Sequence, residues 1–159
     1  MKYLVILVVW ACTDSFAQDT KSTIMEPVET LFAGMNRGDS SLVRKAFVTS
    51  PMIATVLADA SAASVIRYDD FEEFLIAIAA PHPQPWNEPI WDVKIESDGN
   101  LAHVWANYAF YVGRKFSHCG VDAFQLVKGS DDKWRIFFLA DTRRSEGCNV
   151  PSFVSERFK

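Results

Sequence analysis

No cluster of lysine or arginine occurs in this 159-residue chain, and its formal charge is −4. The electrostatic footprint that nucleic-acid binding needs is therefore missing, and nucleic acid is excluded as a partner. Long apolar runs are also missing. The N-terminal one, Tyr3 to Ala11, falls well short of the about 20 residues a membrane span requires. Cysteine is scarce, at three residues, and so is histidine, also at three. His118 and Asp122 on one strand would lie about 13 Å apart, too far to share a coordination shell, so a metal would need ligands from several strands and none is expected; no cofactor is expected either. No internal repeat and no linker divides the chain.

Lys2 precedes the apolar run, and Ser15 and Ala17 put small residues where a signal peptidase reads. Cleavage after Ala17 would leave residues 18–159 as one exported domain, periplasmic or secreted, with no membrane segment. A lipid anchor at Cys12 is the competing reading, but Trp10 fits a lipobox poorly. Only Cys119 and Cys148 then remain, a candidate pair for one disulfide in an oxidising compartment.

Ile24, Val28, Leu31, Phe32 and Met35 recur at helical spacing behind the capping box Thr23 to Glu26, with Pro27 in the first turn. Asp39 is placed to cap a second helix carrying Leu42, Val43, Ala46 and Phe47, which Pro51 ends. Met52–Leu57 and Ala63–Tyr68 read as a short hairpin. Asp69, with Glu72 three residues on, caps a third helix that stops at the proline-rich loop from Pro81 to Pro89, expected to cross the surface. Trp91, Val93 and Ile95 alternate as a half-buried strand. Three long strands follow: Leu101–Val112, Lys115–Lys128 and Lys133–Arg144.

The order of helices and strands resembles the nuclear transport factor 2-like superfamily over nearly all of residues 22–148. The residues that carry it are the Gly38-Asp39 turn, Ala102-His103-Val104-Trp105, Tyr108-Ala109-Phe110 and Lys133-Trp134-Arg135-Ile136. His118 to Phe124, with Asp141 to Arg144 and Cys148, looks like its exported branch, SnoaL-like and described as putative lumazine-binding. The resemblance implies an α+β class: a cone-shaped fold, three N-terminal helices packed on a curved, mainly antiparallel sheet. It implies a pocket more strongly than any reaction.

Gly113 suits a two-residue type II′ turn pairing Val112 with Lys115. That register sets Trp105 opposite Asp122, Asn107 opposite Gly120 and Ala109 opposite His118. A four-residue loop, Gly129 to Asp132, sets Gly120 opposite Asp141 and His118 opposite Arg143. One face is then nearly all apolar, while the other mixes Trp105, Asn107, Tyr111, His118, Asp122, Asp141 and Arg143 with aromatics. Resemblance to the fold assigns the mixed face to the concave side, where aromatic walls and a few polar groups suit a small hydrophobic or aromatic ligand.

On this reading Asp122, desolvated beside Trp105, is the catalytic base of a lyase or isomerase, with His118 as its relay. Trp105, Asn107, Tyr111, Asp141 and Arg143 bind the ligand. Two alternatives stay open: Asp122 as half of a structural ion pair with Arg143 or Arg135, and a non-catalytic module whose sheet forms a homodimer. A cysteine hydrolase is disfavoured, because His118 and Cys119 are strand neighbours pointing to opposite faces.

Overall fold

The computed structural model describes residues 13–58 and 64–159. The apolar run Tyr3 to Ala11, and Cys12 with it, lie outside the described residues. Helix α1 spans Thr13–Arg37, so the turn at Thr23 lies inside it rather than at its start, and Pro27 is an interior residue. Its buried stripe is Ile24, Val28, Leu31 and Met35, as the spacing demands. Asp39 caps α2 (Ser40–Ala46), accepting from the Leu42 amide at 2.9 Å. Phe47 is not helical: it opens β1, Phe47–Ala58, which continues past Pro51 with an irregularity in its pairing to the last strand between Phe47 and Met52. Strand β2 is Ser64–Asp69. Asp70, not Asp69, caps α3 (Phe71–Ala79) by accepting from Glu73.

The proline-rich loop contains a two-residue strand, β3 (Trp86–Asn87), and leads into β4 (Ile90–Asp98). Strands β5 (Leu101–Val112), β6 (Lys115–Lys128) and β7 (Trp134–Thr142) form the meander. The sheet runs β2-β1-β7-β6-β5-β3, with β4 also on β5, and is antiparallel except where β1 meets β7. The chain ends in α4 (Ser152–Ser155) and one 3₁₀ turn, Glu156–Phe158. Among the described residues no helix is long and apolar enough to cross a membrane.

The main core lies between the helices and the concave face, where Val104, Phe124, Leu126 and Ile136 meet Ile24, Val28 and Leu31. A smaller cluster sits on the outer face. There Val154 of α4 covers Trp91, Ala109 and Tyr111, and Phe158 stacks on Tyr111 with centroids 4.0 Å apart. The disulfide Cys119–Cys148 fastens this tail to β6.

Candidate functional site

Two inserted residues decide which side chains meet. Gly113 has φ +62°, as a type II′ turn requires, and Val112 does pair with Lys115. Tyr111 pairs with Phe116, but Phe110 pairs with His118, so Ser117 is an extra residue in β6. Everything upstream moves by one: Ala106 is opposite Asp122, Tyr108 opposite Gly120, Phe110 opposite His118, and Trp105 opposite Ala123. The next loop holds five residues rather than four, since Lys128 pairs with Trp134, and Phe137 is a second insertion. Asp122 therefore faces Asp141 directly, and Cys119 bridges Arg144 rather than Thr142.

A one-residue slip reverses a strand's faces. Relative to β6, β5 is turned over: Trp105 and Asn107 go to the outer face with Tyr111, while Tyr108 and Phe110 turn inward. Trp105 is 43% exposed there, Asn107 donates to Asp92 Oδ2 at 3.1 Å, and Tyr111 is buried under the tail. His118, Asp122, Asp141 and Arg143 stay together on the concave side, lining a cavity of about 410 Å³. Leu31, Phe32 and Met35 of α1, Phe74 of α3, Trp86 and Leu139 close its apolar wall. A larger but more open groove of about 790 Å³ adjoins it at Ile53, Asp69 and Asp70, between Thr49–Ile53 and Tyr68–Glu72, with no such convergence of buried carboxyls.

The polar wall divides into two kinds of carboxyl. Asp141 is fully served: it accepts from Thr55 Oγ1 at 2.7 Å, Tyr108 Oη at 3.1 Å and Arg143 Nε at 2.6 Å. Asp122 is 3% exposed and its Oδ2 has no hydrogen-bond donor. Its carboxyl meets that of Glu88, from the β3–β4 connection, and two carboxyls can hydrogen-bond only by sharing a proton. Burial first, and the neighbouring Glu88 and Asp141 charges second, push Asp122 well above the usual carboxylate range. Burial, then Asp141, raises Glu88 to about 8. The pair thus retains a proton at neutral pH.

His118 stacks on Phe110 at 5.0 Å and meets the Tyr108 ring edge-on. Burial, and then Arg143, lower its pKa, so its imidazole is neutral at pH 7. Burial likewise raises the Tyr108 phenol, which stays protonated as a donor. Sequence reasoning passed over Glu88, Tyr108 and Thr55. The signal for Glu88 was a lone carboxyl between Trp86 and Trp91 in a stretch otherwise apolar or proline-rich. His82, in the loop expected to cross the surface, is partly buried against Trp86 with ring centroids 4.2 Å apart, and His103 contacts Gln125.

Residues 19–138 match the family model described as "Putative lumazine-binding". No curated protein matches the sequence. An NTF2-like protein from Shewanella baltica OS155 is similar in structure, with TM-score 0.61 and 20% identity over 84% of this chain and 100% of its own. So is a "putative scytalone dehydratase" from Novosphingobium aromaticivorans, with TM-score 0.64 and 10% identity over 83% and 89%. The β subunit of a "putative aromatic-ring-hydroxylating dioxygenase" from the same organism gives TM-score 0.65 and 14% identity over 82% and 92%. At these identities the likeness is one of fold.

Proposed function

The chain belongs to the family described as "Putative lumazine-binding", of nuclear transport factor 2-like fold, and from that premise we propose that it is an exported protein binding a small apolar or aromatic molecule in the cavity. One observation carries this reading: a buried carboxyl, Asp122, whose Oδ2 lacks a donor and which faces a mostly apolar cavity. Such a group carries a desolvation cost that a structural residue would avoid by pairing, as Asp141 does. The reaction this arrangement suits is a lyase or isomerase step. Asp122 and Glu88, sharing a proton, supply a base and an acid side by side; Tyr108 holds Asp141 in place, and neutral His118 stands within the same wall.

Exposed Trp105 and Val93 on neighbouring outer strands support a second reading, in which the convex face pairs with another copy and the protein is an assembly module. Thermal melts with a panel of small cyclic and aromatic metabolites test the two. On the binding reading, compounds that stabilise the wild type lose their effect in Asp122→Asn, which itself melts no lower. A large drop in melting temperature with unchanged ligand response would favour the assembly module.

A further inference from the structure

The charges lining the cavity restrict what can enter it. In its depth lie Glu88, Asp122 and Asp141 against one cation, Arg143, already committed to Asp141 at 2.6 Å. At its exposed rim Asp69 pairs with Arg67, while Asp70 and Glu73 add two further carboxylates. No lysine is among the described lining residues. The other titratable groups that face the cavity, Tyr108 from β5 and His118 from β6, are uncharged, and α1 contributes only apolar side chains. An anionic ligand would face this surplus with no free cation to receive it. With Asp141 offset by Arg143 and Asp69 by Arg67, the uncompensated carboxyls are Asp70 and Glu73 at the rim and, once they give up their protons, Glu88 and Asp122 in the depth, and low-dielectric walls there favour the opposite ion. Asp122 Oδ2, buried and without a donor, marks where an N–H would go.

We propose that the cavity selects a small organic cation: a primary ammonium on a cyclic apolar body, whose N–H groups satisfy Asp122 Oδ2 and whose charge replaces the proton shared by Asp122 and Glu88. The aromatic wall of Trp86, Phe74 and Phe110 takes the ring. Binding therefore expels a proton. Its affinity climbs with pH while the carboxyl pair is still protonated, most steeply below the Glu88 pKa of about 8. The ammonium itself stays charged to about pH 9–10. This rests on the small-ligand reading and adds the charge of the ligand to it.

Calorimetry with three probes of one ring system tests it: 1-naphthylmethylamine, 1-naphthalenemethanol and 1-naphthoate, each in two buffers of different ionisation heat. The amine should bind at least about tenfold tighter than the alcohol near pH 8, and the naphthoate not at all. Between about pH 6 and about pH 8 the amine should release up to about one proton and gain up to about tenfold in affinity per pH unit, while the alcohol stays flat. Glu88→Gln should flatten the slope for the amine; Asp122→Asn is the second variant, and the wild-type proton count stands without either. An alcohol or carboxylate binding as tightly as the amine, or amine uptake without proton release, overturns charge selection but leaves the small-ligand reading intact. Silence from all three probes overturns it too, and the metabolite panel then decides the reading beneath.

Discussion

Asp122 and Asp141 face each other across β6 and β7, both buried, yet only one is provided with donors. Removing the charge at each should therefore have opposite effects. Asp141→Asn leaves Arg143, Tyr108 and Thr55 around a group that no longer matches them, and should cost about 1–3 kcal/mol in denaturant melts; the Arg143 side chain is 40% exposed, which tempers the loss. Asp122→Asn should leave stability near pH 8 unchanged or slightly raised. The sign of the pH dependence follows from the same pair. Glu88 and Asp122 have folded pKa values above their unfolded ones, so their contribution is fully present below about pH 4; the Glu88 part is lost as pH rises through about 8, and Asp122 acts in the same direction. Unfolding free energy should fall across that window by about 1–3 kcal/mol, and Glu88→Gln with Asp122→Asn should abolish the fall. A flat or rising wild-type profile would remove the proton-sharing pair.

Among the strands, what the sequence conveyed and what it concealed divide at two insertions. Alternation in the last 60 or so residues announces a meander, and Gly113 announces its turn. Nothing in Ser117 or Phe137 announces a bulge, because each is an ordinary strand residue at its position. From these the pairing shifts, Trp105 and Asn107 leave the concave face, and Tyr108 enters it. His118, Asp122, Asp141 and Arg143 were legible as one face because their own strands kept matching parity at that end. Glu88 was not, since a proline-rich segment carries no periodicity from which direction could be read. Helix ends went wrong by one residue at Asp70 for a similar reason: adjacent aspartates offer two caps and the hydrogen bond picks one. Gly120 shows how tightly these strands cross. A Cβ there would lie 1.7 Å from the Thr142 carbonyl oxygen and 2.7 Å from the Tyr108 ring. Backbone cannot yield as a side chain can, so Gly120→Ala should cost at least about 3 kcal/mol or prevent folding, measured by urea titration.

For the molecule as a whole, the sheet separates two jobs. Its concave side holds the cavity, and its outer side holds the C-terminal tail, a four-residue helix and one turn too short to stand out in the sequence. The tail survives by what it covers: Val154 is 1% exposed, and Phe158 stacks on Tyr111. So few residues bury too little surface to hold themselves down against chain entropy, and the bond between Cys119 and Cys148, closing a separation of 29 residues, supplies the constraint. Cys148→Ser should lower stability by about 2–4 kcal/mol, mostly through the freer unfolded chain. It should also wet Trp91 and Tyr111, read as a red shift of tryptophan emission. Because the tail lies behind the sheet, the pH window set by Glu88 and Asp122 should survive in Cys148→Ser with its slope intact. Loss of that slope together with the tail would mean that the outer face holds the register of β6 at Ser117, and that cavity and tail form a single cooperative unit.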